Sequence, residues 1–454
     1  MKQSLAFFIA FSFLITGFAI QPCFAQDASE LRAMVEELRK DYEVKIMDLE
    51  KKISHLENKQ DEKVEQKVAQ LKDQIRDEMK NSAIDVEYVG RHNAPVGDGG
   101  LLIKNPSGFG NVSLGGYFDM EYLDREKEDS TFRQHRFVLN IAAQPNEKIR
   151  FNSEIEIEYG GPNVPNADGE IKIEQAYADY LINDMINFRA GALLVPFGRF
   201  NLYHDSDLQD LTDRPILARD VIPTTWTEAG AGFFGSFDPR IGSYEDLTIN
   251  YEMYVVNGLD GGFSDTGLSG GRSSLKTDDN GNKAIVSRLA FSPATGQELA
   301  VSGYLGEYGK PSDDISGIGL DTFNTLGPLE LITEYAYFGL EEDNSTSDRA
   351  NYFEGAYVQL NYHFWFQRLN NTFLGRGFED PTFTLVGRYD WARIHDDSDA
   401  AAGLNQETRS TIGLNYRPIE SCVLKIEYQW NDTKNEVLEA GDHDAIVASV
   451  ALGF

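Results

Sequence analysis

The sequence predicts an all-β transmembrane barrel of about sixteen antiparallel strands, preceded by an N-terminal α-helical coiled coil. Three observations lead there. From about residue 111 onward, apolar and polar residues alternate with a period of two. Mean hydropathy is low, at −0.39, although aromatics make up 12% of 454 residues. That combination arises when apolar side chains are spread thinly along alternating strands. After residue 25, no window approaches the roughly 18 apolar residues that a spanning helix needs.

Residues 1–25 carry a charged start at Lys2, an apolar run from Leu5 to Ile20, and small residues near Ala25. They read as a secretory signal peptide, with an uncleaved anchor as the other possibility. Gln21-Pro22 before Cys23 argue against a lipoprotein signal. Cleavage removes Cys23 and leaves Cys422 alone, so the fold has to stand without an internal disulfide.

Residues 27–80 lack Gly and Pro and are rich in Glu, Lys and Asp. Apolar residues recur at Leu31, Val35, Leu38, Tyr42, Ile46, Leu49, Ile53 and Leu56, and again at Val64, Val68, Leu71, Ile75 and Met79. Spacings of three and four put them on one stripe, with four-four steps as stutters. One thin apolar seam does not hold a helix together in water. The pattern therefore predicts a parallel, trimeric coiled coil, or else a single helix lying on the rest of the protein. Residues 81–110 turn Gly-, Asn- and Pro-rich and read as a linker.

Residues 111–454 read as the barrel. In the stretch Ile149–Tyr159, Ile149, Phe151, Ile155, Ile157 and Tyr159 face one way; Arg150, Asn152, Glu154, Glu156 and Glu158 face the other. Similar runs begin at Ile186, Leu247, Leu299, Leu329, Phe383, Ile412, Leu424 and Ile446. A soluble β-sandwich would alternate too, but it does not extend to one uninterrupted pattern of this length. Charge along a whole strand face suits a wet lumen, and aromatics near strand ends suit interfacial girdles. In a bilayer every backbone donor and acceptor needs a partner, so the sheet must close. A barrel of about sixteen strands is too wide for its own side chains to fill, so it holds water and conducts.

The formal charge of −32 excludes nucleic acid as a partner, because phosphate contact needs a basic face. Histidines 55, 92, 135, 204, 363, 395 and 443 show no metal-ligand spacing, and no G-x-S-x-G elbow occurs. Neither catalysis, a metal nor a cofactor is expected. The cluster Asp278–Asn282 reads as a solvated turn, with weak binding of a divalent cation as the other possibility.

The chain ends on an aromatic residue of an alternating strand, Phe454, and so resembles the terminal strand of bacterial outer-membrane barrels. Glu174-Gln-Ala-Tyr-Ala-Asp-Tyr180, Gly191-Ala-Leu-Leu-Val-Pro-Phe-Gly-Arg-Phe-Asn201, Leu211-Thr-Asp-Arg-Pro215 and Ile222-Pro-Thr-Thr-Trp-Thr-Glu-Ala-Gly230 resemble the phosphate-selective porin O and P family. The resemblance covers roughly residues 105–454. It implies a 16-stranded, trimeric porin in the outer membrane of a Gram-negative bacterium, narrowed by an inward loop and passing small anions such as phosphate or other small solutes. Some relatives carry a periplasmic coiled coil, which fits residues 27–80.

On that resemblance, constriction candidates fall in Val195–Thr227: Arg199, His204, Arg214 and Arg219, interspersed with Asp205, Asp207, Asp210, Asp213 and Asp220. Lumen candidates by alternation are Arg136, Arg150 and Arg388 with Glu154, Glu156 and Glu158. Residues 82–454 hold 28 Lys and Arg against 58 Asp and Glu. Selectivity must then come from the local field, not the total. The alternative reading is a structural tether, with the helical stalk spacing the barrel from the periplasm.

Overall fold

The computed structural model describes residues 85–454 except 92–93, 95, 106–109, 161–168, 240–246, 262–266, 279, 310–312, 342–351, 396–403 and 434–442. Before residue 85 it describes only 36, 40, 41, 43–49, 51 and 72. The chain divides into two compact units, Met1–Ala83 and Ile84–Phe454. In the first, the described residues are helical, and Lys45 pairs with Asp41 one turn away at 3.4 Å. The expected signal peptide and most of the expected coiled coil lie outside the described residues.

The second unit opens with a hairpin, β1 (Asp85–Val89) and β2 (Gly100–Lys104), inside the stretch expected to be a linker. Sixteen further strands follow among the described residues. They are β3 (Asn111–Arg125), β4 (Thr131–Asn146), β5 (Ile149–Glu158), β6 (Glu170–Asn183), β7 (Ile186–Leu194), β8 (Thr227–Phe237), β9 (Thr248–Val256) and β10 (Ala284–Ala294). The rest are β11 (Gln297–Tyr308), β12 (Asp313–Leu326), β13 (Leu329–Leu340), β14 (Tyr352–Phe364), β15 (Thr382–His395), β16 (Leu404–Ile419), β17 (Cys422–Thr433) and β18 (Ala445–Gly453). Each pairs antiparallel with the next, and β18 pairs with β3 from Gly453↔Tyr117 to Ala445↔Arg125, which closes the barrel. β3 extends beyond the end of β18, and β2 pairs with that overhang at Val112–Leu114.

Alternation sets the two faces. Ile171 and Ile173, Met253 and Val255, Ile318 and Leu320, Val358 and Leu360, Ile412 and Leu414, and Leu424 and Ile426 are exposed pairs two residues apart. Repeated around the sheet, they make an apolar outer band. Aromatic side chains cluster at strand ends. Tyr362, Phe364, Phe383, Trp365 and Tyr416 form one chain of rings in contact, and Tyr428 with Trp430 lies at the opposite end of the sheet. Cys422 is a half-buried strand residue.

The inner face is not uniformly polar. Toward the lumen, β9–β15 present Tyr254, Val256, Ala284, Val286, Tyr304, Tyr308, Ile315, Ala336, Phe338, Phe353, Tyr357 and Ala392 to an apolar cluster. Its other half is the segment between β7 and β8, which folds into the barrel. A strand facing lipid on one side and an apolar loop on the other reads as a run of apolar residues without clean alternation.

Candidate functional site

The 195–226 segment is closed at its base. Val195 N–H donates to the Trp226 carbonyl at 2.9 Å. Asn201 Nδ2 donates to the Val195 carbonyl at 2.8 Å, and its Oδ1 accepts Trp226 N–H at 2.8 Å. Gly198 has a φ of 75°, and a Cβ there would collide with the Glu334 carboxylate, so the Pro196-Phe197-Gly198 turn needs glycine. A short helix, α1 (Arg199–Leu202), follows. Phe197 and Trp226 pack against Phe338 and Tyr304, with ring centroids 4.7 Å and 5.1 Å apart.

The far wall holds the loop by polar contacts. Glu334 accepts Phe200 N–H at 3.0 Å, Asp390 accepts Ile216 N–H at 3.2 Å, and Glu427 accepts Thr212 N–H at 2.8 Å. Asp210 is the centre of a latch: Asn361 and Asn415 donate to its carboxylate at 2.7 Å and 3.1 Å, and Arg417 pairs with it at 3.2 Å. Lys425 Nζ donates to the Ser206 carbonyl at 2.8 Å. The loop therefore spans the lumen and is tied at both sides, as a rigid partition must be. The segment after β9 packs on it: Ser269 Oγ donates to the Arg219 carbonyl at 2.9 Å, and Gly267 sits at a φ of 136° against Asp220. At the opposite mouth, Arg91 of the N-terminal hairpin pairs with Asp205 at 2.6 Å and Asp207 at 3.3 Å.

Two cavities flank the partition, and Phe200 and Gln209 line both. The larger, about 880 Å³, is lined by eight Arg or Lys and seven Asp or Glu side chains. The smaller is about 680 Å³. In a chain of net charge −32, a lining that is slightly cationic marks a local departure from the whole.

Each constriction candidate has a definite place. His204, Arg214 and Arg219 line the larger cavity, and Arg199 lines the smaller. Arg199 stacks on Phe323 at 4.3 Å and pairs with Glu298 at 3.3 Å. Arg219 pairs with Asp220 at 2.7 Å and with Glu407. Arg214 has no carboxylate partner among the described residues; its guanidinium donates to the Thr224 carbonyl at 2.5 Å. Burial first, then the nearby charge of Arg136, draw the Arg214 pKa down to about 10.

All of the lumen candidates but Glu154 are neutralised in ion pairs. Arg136 meets Glu156 at 2.9 Å, Arg150 meets Asp179 at 2.6 Å, and Arg388 meets Asp390 at 2.8 Å. Glu158 meets Lys172 at 2.9 Å, and Glu154 accepts from Gln175 at 2.7 Å. Of these six candidates, Arg136, Glu156 and Glu158 line the larger cavity.

Sequence reasoning missed three features. Arg272 lines the larger cavity and donates to the Thr225 carbonyl at 3.1 Å, again without a carboxylate partner among the described residues. His135 is the extra residue of a bulge, since Asp119 faces Arg136 but Met120 faces Gln134. It places its ring between Glu121 at 2.8 Å, Asp119 at 3.3 Å and Glu158 at 3.3 Å. Glu174 is likewise a bulge residue, since Glu154 faces Gln175 while Ile155 faces Ile173. That slip turns Glu174 inward, where His204 Nε2 lies at 3.2 Å. No spacing rule signals a one-residue slip.

The family described as phosphate-selective porin O and P matches residues 114–314. An uncharacterized protein of Aquifex aeolicus is 27% identical over 376 residues, covering 76% of this chain and 80% of that protein. OmpF of Salmonella typhi, solved in complex with daunomycin, is similar in fold, with a TM-score of 0.51 at 12% identity over 76% of this chain and 98% of that one. An anion-selective porin from Comamonas acidovorans aligns with a TM-score of 0.47 at 12% identity over 76% of this chain and all of that one. The matched family and the closed barrel support an outer-membrane porin channel, and they favour neither an enzyme nor a tether.

Proposed function

We propose that the chain gives passive diffusion of small hydrophilic solutes through its barrel, with a preference for small anions such as phosphate set at the partition. The observation that supports the preference is the pair Arg214 and Arg272. Their guanidiniums bind the consecutive carbonyls of Thr224 and Thr225, and neither makes an ion pair with a carboxylate among the described residues. A fixed guanidinium lining the lumen attracts anions beyond its share of the total charge, more strongly at half-buried Arg214 than at exposed Arg272, and its fork suits a tetrahedral oxyanion. Paired arginines elsewhere in the lumen contribute little field of their own. The protein acts as a homotrimer, with residues 27–80 bundled as a periplasmic coiled coil, because their apolar seam needs partner helices.

A planar-bilayer measurement tests the preference. Under a potassium chloride gradient the reversal potential takes the anion sign, and phosphate added to one side reduces chloride current. A reversal potential of the cation sign refutes it.

A further inference from the structure

We propose that Glu154, His204 and Asp205 form a binding site for a divalent transition-metal cation of the zinc class, at the junction of the barrel wall and the inward loop. One ligand atom from each of the three lies within 4.8 Å of the other two. Glu154 lies 50 and 51 positions before the adjacent His204 and Asp205, which is why their spacing gave no sign of a ligand set.

The arrangement has the parts that a histidine–carboxylate metal site needs. His204 is buried, and its Nδ1 lies 3.0 Å from the Asn201 carbonyl. A carbonyl can only accept, so Nδ1 carries a proton and Nε2 is the nitrogen left to meet a cation, either a second proton or a metal ion. Fixing the tautomer through a carbonyl on the second nitrogen is the usual support of a metal-bound imidazole. Nε2 faces Glu174 Oε2 at 3.2 Å and Asp205 Oδ1 at 3.9 Å. Between Nε2 and these carboxylates lies a cation: a proton shared with Glu174, or in its place a metal ion that takes Glu154 and Asp205 as its further ligands.

The two carboxylate ligands each have one oxygen held and one offered. Glu154 is 2% exposed; its Oε2 accepts from Gln175 at 2.7 Å, while its buried Oε1 has no partner among the described residues. Asp205 Oδ2 is taken by Arg91 at 2.6 Å, leaving Oδ1 toward His204. In a tetrahedral zinc site, bonds of about 2.0–2.2 Å put ligand atoms roughly 3.3 Å apart, so closing this set takes a shift of about 1–1.5 Å. One imidazole among carboxylates suits zinc, nickel or cobalt and disfavours calcium and magnesium, which take oxygen ligands. The His135 cluster differs, because both of its ring nitrogens face carboxylates and no carbonyl fixes a tautomer.

The test needs no assumption about which solutes pass the pore, because it reads binding alone. Detergent-solubilised full-length protein is stripped with chelator, equilibrated with zinc and desalted, and retained zinc is counted per chain by elemental analysis. The expected result is one zinc per chain, with affinity weakened roughly 100-fold or more in both Glu154→Gln and His204→Ala. Asp278→Asn, in an exposed turn, leaves it unchanged. Equal retention in all four proteins, or none in the unsubstituted one, overturns the site. If the variants fail to fold, X-ray absorption at the zinc edge of the unsubstituted protein decides: imidazole scattering supports the site, and its absence refutes it.

Discussion

At the scale of single residues, the unneutralised arginines are where selectivity should be open to change. Arg214→Ala removes a charge without stranding a buried carboxylate, since its described partner is a backbone carbonyl. Its reversal potential is expected to move toward the cation sign, with Arg214→Lys keeping part of the preference as a point charge without the fork. Asp98 offers a pH test. Burial first, and the charge of Asp205 second, raise its pKa, while Arg91 pulls it back. A carboxyl raised in the folded state binds its proton better folded than unfolded. Its favourable contribution is full below the ordinary value of about 4 and is lost as pH rises through the raised value. Asp98→Asn removes that loss and keeps an acceptor for Asn140, which donates to Asp98 at 3.2 Å. The variant should melt above the parent protein at pH 7, with the gap closing as pH falls below about 4. Arg214 and Arg219 could be singled out from the loop motif alone. Which of them stands unpaired could not, because the answer lies with Glu407 on a strand 188 residues away.

At the scale of elements, the inward loop behaves as a beam fixed at both ends. Its base is tied by Asn201 and its middle by Asp210. Asp210→Ala leaves Asn361, Asn415 and Arg417 without their shared acceptor, and breaking a buried charged network of this kind costs about 3–5 kcal/mol. The expected outcome in single-channel records is a noisier, larger open current, together with a lower heat-denaturation temperature. Steady current at parental size would show that the latch does not hold the partition. The loop's existence was legible from the Gly191–Asn201 and Ile222–Gly230 motifs. Its anchors were not, because Asn361, Asn415, Lys425 and Glu427 lie 151 to 219 residues from their partners. The strands themselves were read from their period of two. The bulges at His135 and Glu174 escaped because a single inserted residue leaves the hydrophobic pattern on either side intact.

At the scale of the whole molecule, the sixteen-strand barrel was legible because lipid outside and water inside impose alternation on nearly every strand. The apolar inner wall under the loop was the part that alternation could not foretell, since there protein replaces water. The barrel unit, Ile84–Phe454, contains its own closed sheet. Deleting residues 27–80 is therefore expected to leave single-channel conductance unchanged, while a loss of trimers on non-denaturing gels would locate assembly in that segment. Loss of conductance in a still-trimeric deletion would contradict the proposed division of labour.

The seam between β3 and β18 sets a schedule. Tyr117 must wait for Gly453, so the first barrel strand, already paired with β4, meets its second neighbour only when β18 has been made. Until then the nascent ribbon has two raw borders, each able to recruit a stranger. Phe454 exchanges backbone hydrogen bonds with Gly116 at 2.9 Å and 3.0 Å and stacks on Phe137. A truncation of only the last few residues should thus be felt as delayed or failed insertion, far more than as weakness in a cylinder already shut.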